Sequence, residues 1–219
     1  MGNGPPLEVK TWGEFACFTR PEMKAERVSY PVMTPSAARG LLEAIFWKPE
    51  FMWQVREICV LKEIRHFSIL RNEVNHKAVI STARAWSEKG GGYFADDATN
   101  RAQRHTLALR DVAYLIKADI ILRAHATEDI AKYRDQFRRR VDRGQCHHRP
   151  YLGCREFAAS FSPPDGSEQP IDRTDDLGRV LFDLDYVSDG SGRGTPHFFR
   201  ASLKRGILKV PHELYRREG

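Results

Sequence analysis

The chain has 219 residues, 41% hydrophobic and 11% aromatic, and a formal net charge of +6. That length and composition suit one large folded domain, or one domain with a smaller addition, and exclude a disordered chain. No apolar run approaches membrane-spanning length, and the first residues, MGNGPPLEVK, lack the apolar core of a signal peptide. The four cysteines (Cys17, Cys59, Cys146, Cys154) have no tight pairing pattern. A cytoplasmic protein with reduced thiols and no membrane partner is the expectation.

In chain order, Leu7 to Cys17 reads as a first strand, with Leu7 and Val9 alternating with Glu8 and Lys10. Gly13 within it marks a bulge or a close backbone approach. A charged loop, Thr19 to Val32, follows. The first helix starts at Thr34, an N-cap candidate, with Pro35 at the first helical position, and runs to about Trp47 before Pro49 stops it. Gly40 inside this helix costs roughly 1 kcal/mol against Ala, which points to a packing contact or ligand approach.

Trp53 to His66 reads as a second strand. Residues 67–110 are polar and lack a clear period, so a long irregular insertion is expected, with Gly90, Gly91 and Gly92 at its tip. The third strand has the strongest signal: Val112, Tyr114, Ile116, Ala118, Ile120 and Leu122 recur at period two. A second helix follows, with Thr127 as its cap, an apolar face of Ile130, Tyr133, Phe137 and Val141, and Gly144 as its stop. Tyr151 to Phe161 reads as the fourth strand.

This order, βαββαβ, predicts an α+β, ferredoxin-like fold similar to RNA-recognition modules. It spans residues 1–161 with the insertion at about 67–110. A Pro/Gly/acid-rich linker, 162–178, leads to a small C-terminal antiparallel β-sheet domain over 179–219. Its strands are carried by Val180, Phe182, Leu184 and Tyr186, by Phe199, Ala201 and Leu203, and by Ile207 to Val210, with a DGSGRGTP loop after the first and a turn at Arg205-Gly206.

Charge is concentrated in one place. Lys132 to Arg155 holds eight Lys/Arg against two Asp, a local charge of +6 that equals the net charge of the whole chain. Cations suit phosphates, rings suit bases, and imidazoles carry protons, so this stretch points to a nucleic-acid surface rather than a solvated helix face. Walker loops, HExxH, nucleophile elbows and EF-hand loops are absent from the sequence. Cys146, His147, His148 and Cys154 match no standard zinc spacing, so no metal site is expected.

A metal-free ribonuclease, which needs no cofactor, needs less. The RNA 2′-hydroxyl attacks its adjacent phosphate if a base removes its proton, a cation stabilises the phosphorane, and an acid protonates the departing 5′-oxygen. Lys132, Tyr133, His147 and His148 qualify by residue type. Against that, Tyr133 lies on the apolar helix face and suits the core, Lys132 suits a phosphate clamp, and the two histidines suit a base-stacking loop.

Three stretches carry a resemblance: VKTWGEFACFTRPEMKAERVSYPVMTPSAARGLLEAIFWKPE near the N-terminus, RHFSILRNEV at 65–74, and RGQCHHRPYLGCREF at 143–157. They resemble the CRISPR-associated Cas5 family in its type I-C (subtype d, or Dvulg) form. The resemblance implies a metal-independent endoribonuclease that cuts precursor CRISPR RNA within its repeats. It also implies that the protein stays on the mature 5′ handle, beside backbone and large subunits, as part of the Cascade surveillance complex. The active site it implies is a Tyr on the first helix and a Lys-His pair at the second helix. These positions fall on Phe46, Lys132 and Tyr133, so this chain departs at two of three places. Tyr30, His147 and His148 are the substitutes expected for the missing proton carriers. Arg20, Lys24, Arg27, Arg39 and Lys48 are expected to line the RNA path from the first helix side. Arg138, Arg139, Arg140 and Arg149 would add phosphate contacts from the second helix and its loop. A handle-binding subunit without catalysis, and a general nucleic-acid binder that also touches duplex DNA, are the alternative readings.

Overall fold

The structure is a computed structural model, and it describes residues 4–23, 25–77, 79–92, 94–96, 98–187 and 194–218. The expected first strand is β1 (Leu7–Ala16), with Leu7 and Val9 buried and Glu8 and Lys10 only partly covered. A two-residue strand, β2 (Arg27–Val28), precedes α1 (Pro35–Ile45). Thr34 caps α1 by accepting the N–H of Ala37 at 3.2 Å. The helix ends two residues earlier than expected, because Phe46 turns extended and buries its ring. Gly40 makes no packing contact, since a Cβ there would meet nothing within 4 Å. Gly13 does mark a close approach: a Cβ would lie 3.0 Å from the Ala158 carbonyl oxygen.

The second strand is shorter than expected and starts earlier, β3 (Phe51–Val60). The region 67–110, expected to be irregular, is largely regular. It contains β4 (His66–Val74), α2 (Ile80–Lys89) and the first half of β5 (Arg101–Leu122). β4 and β5 form an antiparallel hairpin from His66↔Leu109 to Val74↔Arg101. One face of this hairpin is exposed and the other only half-buried, with Phe67 and Ile69 as its apolar contacts to the core, so apolar alternation is weak in the sequence. α2 buries no residue and has no side-chain cap, which removes the other usual signals.

β5 changes partners along its length. Leu109 pairs with β4 and β1, whereas Tyr114 pairs with β3 and β1. Asp111 sits between, in the left-handed region at φ 54, held by Lys62 at 2.5 Å. Asp tolerates that conformation better than most residues, which lets the strand bend without a glycine.

α3 (Ile130–Asp142) is capped by Asp129, not Thr127, with Asp129 accepting the N–H of Ala131 at 2.7 Å. Tyr133, Phe137 and Val141 are buried as the helical period requires. The expected long fourth strand reduces to β6 (Ser160–Ser162) and one bridge, Tyr151↔Ala158. A tight loop takes its place. Leu152 gives its carbonyl to the N–H of Cys17 at 3.0 Å, and Gly153 turns the chain at φ +84. The tail forms β7 (Asp175–Tyr186), β8 (Gly194–Lys204), β9 (Ile207–Lys209) and a 3-10 turn, His212–Glu218. Residues 189–193 of the expected DGSGRGTP loop lie outside the described residues.

The main sheet path runs β6-β1-β5-β3-β9-β8-β7, and its paired strands are antiparallel. β9 pairs with β3 through Glu57↔Lys209, so the tail strands continue the same sheet. The architecture is mixed α/β, an antiparallel sheet with few helices. α3 packs on β1, β5 and β6, and α1 packs on β3, β7 and α3. Where the helices meet the sheet, Phe46, Phe51, Trp53, Tyr133 and Phe137 form one aromatic cluster with centroids 4.8–5.7 Å apart. Trp53 also donates its indole N–H to the Phe46 carbonyl at 2.9 Å, so the largest buried side chain leaves no orphan donor.

Candidate nucleic-acid cleft

The outer face of α1 carries small residues, Ser36, Ala37, Gly40 and Ala44, and these floor a cleft of about 1150 Å³. One wall is the segment from His147 to Arg155 and the other is Leu181, Leu184 and Tyr186 of β7. The open space above Gly40 belongs to this cleft, so the glycine keeps the floor low instead of packing a helix.

The 147–155 wall is fixed to the C-terminus of α1. His147 and His148 both donate their backbone N–H to the Ala44 carbonyl, at 2.8 and 3.1 Å. Arg140 donates to the next carbonyl, Ile45, at 2.7 Å, and its guanidinium lies 5.1 Å from the Phe46 ring centroid. Helix C-termini leave such carbonyls unpaired, and the basic segment supplies their partners.

Of the residues expected at the site, Arg39, His147, His148 and Arg149 line this cleft. The two histidines are exposed with ring centroids 4.2 Å apart. Arg39 is held in place by Glu43 at 3.1 Å and Asp183 at 2.5 Å. Arg138 and Arg139 are exposed on α3, and Arg138 pairs with Asp135 at 3.0 Å. Lys48 is exposed just beyond α1. Arg20 lies over the Tyr30 ring at 4.4 Å, and Arg27 pairs with Glu156 at 3.1 Å. Lys24 lies outside the described residues.

The other expected proton carriers are elsewhere. Lys132, Tyr133 and Tyr30 do not line the cleft. Lys132 is exposed and paired with Glu128 at 2.6 Å, which raises its pKa. Tyr133 is 4% exposed, against the Phe51 ring at 5.4 Å. Its hydroxyl is buried without a hydrogen-bond partner among the described residues. Burial first, then the charges of Glu50 and Glu128, raise its pKa. Tyr30 is fully buried, and burial raises its pKa as well. Neither phenol is placed to accept a proton near neutrality.

Some cleft residues escaped the sequence reading. Arg155 and Tyr151 lie within the stretch flagged for its charge, but Trp47 and Tyr186 do not. Trp47 read as the last residue of a helix, yet it is 53% exposed, and Tyr186 read as a core strand position, yet it is 63% exposed. A large aromatic just past a helix end is the only signal that could have singled out Trp47. A thiol pair was also missed. Cys154 lies behind the wall, with its Sγ 3.5 Å from the Cys17 carbonyl oxygen and 3.6 Å from Arg27 Nη1. The Cys17 thiol beside it pulls the Cys154 pKa down to about 6, and the same contact pushes Cys17 up. These cysteines are 137 positions apart, so no spacing could pair them.

Among the described residues, no three His, Cys, Asp or Glu side chains come together as metal ligands would. No helix is long and apolar enough to cross a membrane among those residues. The cleft has small residues below, arginines at the wall, and two imidazoles and several rings along the groove, groups whose chemistry suits a polyanion.

Comparison with known proteins places the chain. The family model Cas_Cas5d, CRISPR-associated protein (Cas_Cas5), matches residues 6–211. The chain is 51% identical over 224 residues to a protein of Thermus thermophilus named CRISPR pre-crRNA endoribonuclease Cas5d, covering 95% of this chain and 93% of that one. A protein of the same name from Mannheimia succiniciproducens is 43% identical over 220 residues, with 94% of each covered. Among solved structures, one titled "Crystal Structure of CRISPR-associated Protein" is similar in fold at a TM-score of 0.66 and 21% identity, covering 94% of this chain and 92% of that one. A chain of a structure titled "CRISPR RNA-guided surveillance complex" is similar at a TM-score of 0.53 and 12% identity, with 97% of each covered.

Proposed function

The chain belongs to the Cas5d family of CRISPR-associated proteins, and we propose that it is an endoribonuclease that cuts precursor CRISPR RNA within its repeats. It then holds the 5′ handle as a subunit of the Cascade complex, in the cytoplasm. The observation that carries this reading is 51% identity, over nearly the whole chain, to a protein named as a pre-crRNA endoribonuclease.

The proposed reaction is transesterification. A base takes the proton of the 2′-hydroxyl, the 2′-oxygen attacks the adjacent phosphorus, and the bond to the 5′-oxygen breaks. A cyclic 2′,3′-phosphate and a 5′-hydroxyl result, with the leaving oxygen taking a proton from an acid. This sequence uses no metal. His147 and His148 are the proton carriers proposed, because imidazole suits both roles and both line the cleft. Arg149 and Arg155 line the same wall and are proposed to stabilise the phosphorane charge. Lys132, exposed on α3, is proposed to contact the RNA backbone away from the cleft floor.

The strand path β6-β1-β5-β3 with α1 and α3 supports a ferredoxin-like reading of residues 1–161, and the expected linker and C-terminal sheet are revised to an extension of the same sheet, because β7 starts at Asp175 and β9 pairs with β3. A second reading has a specific observation in its favour. Phe46 and Tyr133 are both buried in the aromatic cluster, so a protein that binds the handle without cutting it would lose nothing there. Duplex DNA would also suit the exposed arginines, since phosphate attraction carries no sequence information.

The test is cleavage of the cognate repeat RNA in EDTA, beside the same RNA with a 2′-deoxy sugar at the scissile position. Cutting of the first alone supports 2′-hydroxyl attack without metal. Tight binding with neither cut supports the second reading.

A further inference from the structure

A second cavity, of about 410 Å³, opens beside the cleft. Arg39, Glu43, Trp47, Leu184 and Tyr186 line both spaces, so these five residues form the doorway between them. Arg39 and Glu43 lie one turn apart on α1 and pair at 3.1 Å, and Trp47 follows two residues past the end of the helix. Trp47 and Tyr186 keep more than half of their surface in solvent, at 53% and 63%. Rings of this size rarely stay exposed together at the edge of a basic groove without a partner to stack on, and single-stranded RNA supplies such partners.

Past the doorway the chemistry changes. The cleft wall is basic, whereas the smaller cavity is lined by Glu43, Asp183 and Asp185 together with Arg39 and Arg123. Carboxylates repel a phosphate, so the RNA backbone stays in the cleft and only a base enters. A carboxylate accepts hydrogen bonds and donates none. Guanine is the RNA base with two adjacent donors on its Watson–Crick edge, N1–H and the N2 amino group, and it therefore pairs with one carboxylate at two points. Its O6 acceptor lies beside them, and Arg123 supplies donors of the right kind. Adenine, cytosine and uracil each set an acceptor next to their donor and lose one of the two bonds.

Resting on the reading of the cleft as an RNA path, we infer that the smaller cavity is a guanine subsite. One nucleotide of the single-stranded RNA turns its base through the doorway, Trp47 and Tyr186 stack on it, and Glu43 reads its Watson–Crick edge. Arg39 is a positioning residue here, holding Glu43 and Asp183 at 3.1 and 2.5 Å.

The test uses the full chain and six-nucleotide RNAs of uridine with one central guanosine, adenosine, cytidine or inosine. Affinity is read from tryptophan fluorescence and checked by competition. Guanosine should bind roughly tenfold tighter than the others, as one extra good hydrogen bond allows. Inosine, which lacks only the N2 amino group, should lose that advantage on the unaltered protein. Trp47→Ala should weaken every oligomer by roughly 5- to 150-fold, the range of one lost base stack. Glu43→Gln should erase the guanosine preference. Equal binding of guanosine and inosine would overturn the subsite, even if repeat RNA is still cut. If repeat RNA is neither bound nor cut while the guanosine preference persists, the subsite stands and the precursor-processing reading falls.

Discussion

His147 donates its backbone N–H to the Ala44 carbonyl oxygen over 2.8 Å. That bond fixes the loop to the end of α1, so the imidazole is carried on an anchored backbone while its ring stays at the cleft. The backbone contact does not depend on the side chain, which makes the ring removable without loss of the loop.

His147→Ala and His148→Ala should therefore each slow single-turnover cleavage by roughly 10²- to 10⁴-fold, the usual worth of a general acid or base. RNA affinity should change by no more than about threefold. A parallel loss of affinity and rate would mark the rings as stacking groups.

Arg139 and Arg140 should separate, although they are neighbours in sequence. Arg139 is exposed, so Arg139→Ala should weaken RNA binding and lower the slope of log K against log salt by about 1. Arg140 holds the Ile45 carbonyl and lies on Phe46, so Arg140→Ala should cost about 1–3 kcal/mol of stability in urea denaturation, with a smaller effect on the salt slope. The reverse pattern would place Arg140 in the RNA path.

Gly153 cannot become Ala without moving the backbone. A Cβ would sit 2.1 Å from the Cys17 carbonyl oxygen, at a φ of +84 that L residues rarely adopt. Gly153→Ala should destabilise by more than about 3 kcal/mol, since strain and overlap add. An unchanged denaturation midpoint would show that the Cys17–Leu152 crossing is not as close as described.

Cys154 sets a pH dependence of stability. Its folded pKa, about 6, lies below the ordinary thiol range because the Cys17 thiol donates to it. A depressed acid adds stability as pH rises from its folded pKa to its unfolded one, because over that range only the unfolded thiol still binds its proton. The contribution is therefore complete above the ordinary thiol value and is lost as pH falls through about 6. Urea midpoints at pH 5.5 and 8.5 should diverge between the unaltered protein and Cys154→Ser, with the unaltered protein gaining at the higher pH. Parallel midpoints would remove the thiolate from the account.

What could be read in advance follows from where water is excluded. β1, α1 and α3 each bury one face, and burial imposes the periods by which Val9, Leu41 or Phe137 declare themselves, whereas β3 and the second half of β5 are buried on both faces and stand out as apolar runs. β4, α2 and the first half of β5 are solvated on most sides, so residues such as Ser68 or Arg104 satisfied no pattern. The basic stretch was visible because charge is local in sequence. The fate of each charge was not: Arg149 faces the cleft while Arg140 serves a helix terminus a few residues away.

From sequence alone came the family resemblance, the capped start of α1, the apolar stripe of α3 and the expectation of a polyanion surface. All of these depend on residues near one another in the chain. Only the tertiary structure decided that Phe46 and Tyr133 share one buried cluster, that Cys17 meets Cys154, and that Trp47 and Tyr186 flank one opening. Those relations join residues brought together by the packing of helices on a sheet, and the burial and desolvation that give them their chemistry exist only after the chain has folded.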